Sequence, residues 1–311
     1  MTSQPNILAT PSSSHARPEL GPTLFKVSPM DTINFQLLKP ILLNRKKSNL
    51  TLIKAKYEQV ATRKTQSNNY GPELGGTKFT DSPVIELPVR TAVLSLQQDN
   101  GSLHVGTSVW PCSLVLVKFA ERWAPPSPDA QNPYANLLDF HGKRAVELGA
   151  GCGAAGMGLY LLGLTDLVLT DIPAVMPALK HNLKRNKPVL GKTLKHAIVH
   201  WNKAADQAKS LSPPYDVVVA TDVVYIEETV GPLVSTMEAL VKDDGVVLLG
   251  YQLRSPEAHQ LFWEMCERVF VIEKVPHQDL HPDYAYEEAD VFVLRKKQKG
   301  GLTQDAAPDS L

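Results

Sequence analysis

The sequence has no surplus of charge: 32 Lys and Arg are matched by 32 Asp and Glu, for a formal net charge of zero over 311 residues. Without a long-range positive field, a basic-patch nucleic-acid binder is disfavoured, and no nucleic-acid partner is expected. Cysteine is scarce as well. Cys112, Cys152 and Cys266 stand far apart, with neither CxxC zinc spacing nor an even set for a disulfide framework. A reducing, cytoplasmic setting is therefore expected. The scattered His and Cys residues offer no metal-ligand set, and no metal is expected. Long apolar runs are missing too: stretches such as Val217–Ala220 and Gly245–Gly250 are strand-sized. A membrane helix needs ~20 apolar residues, so no membrane partner is expected. Acids are nearly absent from one region, since Met1 to Lys56 holds only Glu19 and Asp31 against eight Lys or Arg. That hydroxyl-rich, acid-poor look leaves organelle import as an alternative localisation.

What is present is a change of rhythm along the chain. Residues 1–80 lack sustained periodicity and carry turn chemistry at Asn68–Pro72 and Gly75-Gly76, so an N-terminal extension, partly disordered, is expected there. A domain is expected over 81–296, with a disordered tail at 297–311. Val84 to Leu96 reads as a pair of short strands, and a helix follows Pro111 until Pro125-Pro126-Ser127-Pro128. From Arg144 onward, apolar runs alternate with helical patterns: Arg144–Leu148, a helix from Ala154, Leu167–Thr170, a helix from Pro173 to about Asn186, Leu194–Val199, Asp216–Ala220, a helix through Val230–Leu240, Gly245–Gly250 and a helix near Pro256–Arg268. This alternation means βαβ units and a parallel sheet covered on both faces. Right-handed crossovers then require an α/β, doubly wound layout. Phe270–Val275 and Asp290–Leu294 are joined without a helical pattern, so an antiparallel hairpin is expected to close a mostly parallel, seven-stranded, Rossmann-like sheet.

Val146-Glu147-Leu148-Gly149-Ala150-Gly151-Cys152-Gly153 ends a strand and opens a helix. Glycines let the backbone turn sharply and approach a ligand, and the helix start offers free N–H groups. Two cofactors compete for this turn. Gly151 to Gly156 matches GxGxxG, with Asp171 twenty residues beyond Gly151, as in dinucleotide sites. Against a dinucleotide, Glu147 sits two residues before the first glycine, where a carboxylate suits the ammonium end of a methionine moiety, reached through water or backbone. The turn also comes late in the chain. Asp171 ends the second strand and can accept hydrogen bonds from ribose hydroxyls under either cofactor, although it could instead cap the helix opening at Ile172-Pro173.

With Asp222-Val223-Val224-Tyr225 added to the Gly-rich turn, the sequence resembles the family-16 seven-β-strand protein-lysine methyltransferases of the methyltransferase-like-21 type, over roughly Gly106 to Leu294. The class I methyltransferase fold and S-adenosyl-L-methionine as cofactor follow from that resemblance. It implies cofactor-binding roles for Trp110, Glu147, Gly149, Ala150, Gly151, Asp171, Trp201 and Thr221, and catalytic roles for Asp222 and Tyr225. Trp110 in Val109-Trp110-Pro111 and Trp201 in His200-Trp201-Asn202 could also be core by spacing alone; as flat aromatics beside polar neighbours they suit an adenine face. The expected activity is methylation of a lysine side chain of a protein substrate by a monomer. Another nitrogen acceptor, a small molecule, or a non-catalytic adaptor with the same fold stand as alternatives.

Overall fold

The computed structural model describes residues 82–99, 101–102, 104–126, 131–203 and 211–298. The readings of residues 1–80, and of the tail beyond residue 298, lie outside the described residues. The chain opens with a hairpin of β1 (Val84–Val89) and β2 (Ala92–Gln97), followed by α1 (Pro111–Trp123) and a short α2 (Ala135–Leu138). Then come β3 (Arg144–Leu148), α3 (Ala154–Leu161), β4 (Asp166–Asp171), α4 (Met176–Arg185), α5 (Lys187–Leu190), β5 (Lys195–Ile198), β6 (Tyr215–Thr221), α6 (Glu227–Leu240), β7 (Val241–Tyr251), α7 (Pro256–Val269), β8 (Phe270–Lys274) and β9 (Asp290–Lys296).

Seven strands form one sheet in the order β5-β4-β3-β6-β7-β9-β8. Five are parallel, and β9 inserts antiparallel between β7 and β8. The expected seven-stranded fold with its antiparallel closing hairpin is the one observed. Its centre is apolar on both faces: Val217 to Ala220 of β6 are fully buried, as a parallel strand between two helical layers requires. Ala145, Val217 and Val219 pack with α1, α3 and α4, while Val146, Leu148, Val218 and Ala220 pack with α6 and α7. The order reverses between β3 and β6. That crevice, at the carboxyl ends of the strands, is where open α/β sheets bind ligands.

The β1–β2 hairpin is a separate two-stranded sheet, and two asparagines hold it to the core. Asn182 of α4 and Asn186 just past it are buried four residues apart, on one face. Asn182 accepts from the Gln97 amide at 2.8 Å and donates to the Gln97 carbonyl at 2.9 Å. Asn186 does the same with Ser95, at 2.8 and 2.9 Å. Helix spacing of four thus meets strand spacing of two, and the side-chain amides substitute for a neighbouring strand on the edge of β2.

Two boundaries differ from the sequence expectation. The helix read from Pro173 begins at Met176, because residues 172–175 form a turn in which the Val175 amide donates to the Ile172 carbonyl. Pro177, not Pro173, occupies its first turn. β7 starts at Val241, four residues before Gly245, at a register irregularity opposite Tyr215 and Val217. Asp243 and Asp244 look like a turn in sequence but lie on exposed positions of that strand.

Candidate active site

The turn from β3 into α3 is built by positive backbone dihedrals at Gly149 (φ 69°), Gly151 (φ 56°) and Gly153 (φ 83°), a region that disfavours side chains. Space enforces the same choice: a Cβ on Gly149 would lie 2.8 Å from Val223, and one on Gly153 would lie 2.9 Å from Leu179. The turn is pinned from β4. Asp171 Oδ2 accepts from the Gly151 amide at 2.8 Å, and Oδ1 accepts from the Ile172 amide at 2.7 Å. Asp171 therefore secures the loop and does not cap α4, whose cap residue is Val175. Burial pushes its pKa up to about 6, with the two amides pulling the other way.

A cavity of about 430 Å³ opens above this turn, within the range of small-molecule sites. Trp110, Gly149, Ala150, Gly151 and Asp171 line it, together with Trp201, Thr221, Asp222 and Tyr225. Nine of the ten site residues expected from sequence therefore converge on one space. Trp110 stands at the start of α1, its indole Nε1 donating to the Val105 carbonyl at 2.9 Å. Trp201 lies in a short 3-10 turn after β5, its ring edge 3.4 Å from where a Gly149 Cβ would be.

Glu147 is the tenth, and it does not line the cavity. It lies behind the turn, 1% exposed, on the face of β3 toward α3. Gly156 makes room for it: a Cβ there would fall 2.3 Å from Glu147 Oε2. Neither carboxylate oxygen has a partner in hydrogen-bond geometry. Burial, reinforced by the Asp171 charge and opposed by the Gly156 amide, raises its pKa to about 8. A group that keeps its proton to about pH 8 when folded, yet releases it near 4.5 when unfolded, takes up protons on folding. Its contribution to stability is full below pH 4.5 and declines as pH rises toward 8. Unfolding free energies from urea titrations across this window should fall in the wild type by about 1.4 kcal/mol per pH unit on account of this group, and Glu147→Gln should flatten the decline. An equal slope in both proteins would show that Glu147 ionises normally in the folded state.

Also lining the cavity, Asp222 follows β6 with φ 59°, a conformation uncommon for a residue with a side chain and concentrated at functional positions. Its amide donates to the Gly250 carbonyl of β7 at 2.9 Å. Both carboxylate oxygens are gripped by Arg254, Nε to Oδ1 and Nη2 to Oδ2, each at 2.7 Å. Arg254 was not foreseen from the sequence. Its signal was there, in a cation three residues past the end of a central parallel strand, at the edge where such sheets carry their sites. Tyr225 lies alongside, its pKa lifted to about 12 by burial and by the charges of Asp171 and Asp222. It is a neutral phenol at any physiological pH, able to donate a hydrogen bond.

Among the described residues, no cluster of three His, Cys, Asp or Glu side chains is placed to hold a metal, and no helix is long and apolar enough to cross a membrane.

Residues 89–269 match a protein family described as lysine methyltransferase. The chain belongs to the lysine methyltransferase family. Protein N-lysine methyltransferase METTL21A of Mus musculus is 30% identical over 67% of this chain and 89% of its own length. EEF1A lysine methyltransferase 3 of Mus musculus is 30% identical over 64% and 75%. Among solved structures, a TehB-like SAM-dependent methyltransferase from Corynebacterium glutamicum is 21% identical over 52% of this chain and 86% of that one, with a TM-score of 0.39. Likeness at that level adds nothing to the topology itself. The GxGxxG match at Gly151–Gly156 thus occurs in a chain of a methyltransferase family.

Proposed function

We propose that the cavity seats S-adenosyl-L-methionine and that Asp222 and Tyr225 present the side-chain amine of a protein lysine to it. The observation that carries this reading is the convergence of the glycine turn and Asp222 on one space. The residues fit the donor. Each Asp171 oxygen accepts one amide and keeps a second lone pair for a ribose hydroxyl. The Trp110 and Trp201 rings offer apolar faces to adenine. The bare backbone of Gly149, Ala150 and Gly151, at the start of α3, suits the polar methionine end. Glu147, set behind the turn, does not line the cavity.

When bound, the donor supplies an electrophilic methyl on sulfonium, which an amine lone pair takes in line while the bonding electrons stay on sulfur. The chain's own task is to deliver that lone pair. Lysine has an unperturbed pKa of about 10.4, so its proton must leave to solvent before attack. An apolar wall lowers the pKa by disfavouring the charged form, and Val223 lines the cavity together with Asp222 and Tyr225. Asp222 and the Tyr225 phenol then orient the nitrogen, and alignment at ~3–3.5 Å is the main source of acceleration.

The test is calorimetry with S-adenosylhomocysteine together with label transfer from tritiated S-adenosylmethionine into a whole-cell protein extract. Binding plus label in lysine residues is expected. Label confined to small molecules would move the acceptor out of the protein class, and a failure to bind would remove the donor from this cavity.

A further inference from the structure

We infer that Arg254 is a positioning residue that acts through Asp222, cancelling its charge so that an amine arriving there meets a neutral ion pair and gives up its proton. The inference rests on the proposed seating of an amine acceptor at Asp222, and it answers a difficulty in that seating. A lone carboxylate beside a lysine favours the ammonium form, which has no lone pair to give.

The geometry supplies the remedy. The Asp222 side chain is 1% exposed and Arg254 is 12% exposed, so solvent screens the pair little. The two-point fork takes one lone pair from each carboxylate oxygen and leaves the others able to accept from an N–H donor. The guanidinium is held in turn. It lies over the Trp110 ring, 5.3 Å from the centroid, while the Trp110 indole is tied to the Val105 carbonyl. Asp222 at the end of β6, Arg254 beyond β7 and Trp110 at the head of α1 thus form one rigid corner. Arg254 itself does not line the cavity, whereas Asp222 does; the arginine reaches an acceptor only through the acid.

Among the described residues, Arg254 is the one that forms an ion pair with Asp222. From α1, the Cys112 thiol is held protonated, its pKa raised first by burial and then by the Asp222 charge. From the loop after β6, Tyr225 is a neutral phenol. From β7, Tyr251 is likewise pushed upward, mainly by burial and in part by Asp222 and Asp290. Asp290 of β9 and Asp171 of β4 add only negative charge to this corner. Arg254 is the cation in contact with Asp222.

One test needs no protein substrate. Sinefungin carries an amine-bearing carbon in place of the sulfonium methyl group, so its extra amine samples the place of the transferred methyl, and S-adenosylhomocysteine has nothing there. Calorimetry of both ligands on wild type, Arg254→Met and Arg254→Lys gives the preference for the amine. Arg254→Met unmasks the Asp222 charge, and its preference for sinefungin should rise about tenfold, the equivalent of one pH unit in the amine's pKa. Arg254→Lys keeps a cation and should stay near wild type. In label transfer at saturating donor, the acidic limb of the pH–rate profile should move alkaline by about one unit or more in Arg254→Met and stay in place in Arg254→Lys. An unchanged ligand preference, or a uniform loss of rate with an unshifted profile, would make Arg254 a merely structural brace and overturn the inference. If Arg254→Met fails to fold, Arg254→Lys decides against wild type: a shifted preference or limb despite the retained cation overturns it. Failure of wild type to bind S-adenosylhomocysteine would instead strike the donor seat on which the inference rests.

Discussion

Asp222→Asn is expected to reduce methyl transfer by at least about 100-fold, the scale of a ~1 Å misplacement of reacting atoms, while the affinity for S-adenosylhomocysteine changes by no more than about threefold. The asymmetry follows from position. Asp222 lines the cavity from the end of β6, whereas the Gly149–Gly153 turn after β3 and Asp171 of β4 carry the proposed donor contacts. Asn preserves volume and can still adopt the φ of 59° seen here, which Asn and Asp tolerate better than most residues. It loses one acceptor and all of the charge. The Arg254 fork would then meet an amide NH2 at one of its two contacts, so the side chain must rotate or yield. Stability should suffer too, since removing one partner of a buried pair leaves the other uncompensated at a cost of about 3–5 kcal/mol. Thermal midpoints measured beside the kinetics separate the two effects: a folded variant that binds S-adenosylhomocysteine yet transfers no label supports the acceptor role. Parallel loss of binding and transfer would place Asp222 in the donor seat instead.

The parts of this molecule legible in sequence are those whose constraints are local. Gly149, Gly151 and Gly153 announce a turn because their φ values, between 56° and 83°, disfavour side chains. The alternation from Arg144 to Arg268 announces a parallel sheet because a strand buried on both faces must be apolar throughout, as Val217–Ala220 is. The closing hairpin is legible from a missing helix between Phe270–Lys274 and Asp290–Lys296. Contacts between distant positions were hidden. Asp222 and Arg254 stand 32 residues apart and meet only because β6 and β7 are neighbours. Asn182 and Asn186 look like ordinary polar helix residues until the edge of β2, some 85 to 91 residues earlier, supplies their partners. Glu147 was read as an acid that reaches the methionine end through water or backbone, and the space left by Gly156 sets its carboxylate behind the turn. The helix read from Pro173 starts late because residues 172–175 turn first, and Asp171 binds the Gly151 and Ile172 amides in place of the cap role that the Asp-Ile-Pro pattern suggests.

Asp171→Ala is expected to weaken S-adenosylhomocysteine binding by about 100-fold or more. Hydrogen bonds to a charged group contribute about 1.5–3 kcal/mol each, so losing two ribose contacts alone accounts for that factor. The substitution also releases the Gly151 amide, which donates to Asp171 Oδ2 at 2.8 Å, and with it the anchor that holds the loop in its left-handed conformation. The loop effect and the ribose effect can be told apart with Asp171→Asn, which keeps one oxygen for the Gly151 amide but no longer offers a carboxylate to two hydroxyls; it should lie between wild type and Asp171→Ala. The pH dependence gives an independent check. With its pKa raised to about 6 by burial, Asp171 loses its charge near neutrality, so wild-type affinity should be full above pH 7 and fall as pH drops through 6. In Asp171→Asn that decline should vanish. A wild-type affinity unchanged from pH 7 down to pH 5 would mean that the carboxylate takes no part in holding the ligand, and Asp171 would be reduced to a tether for the loop.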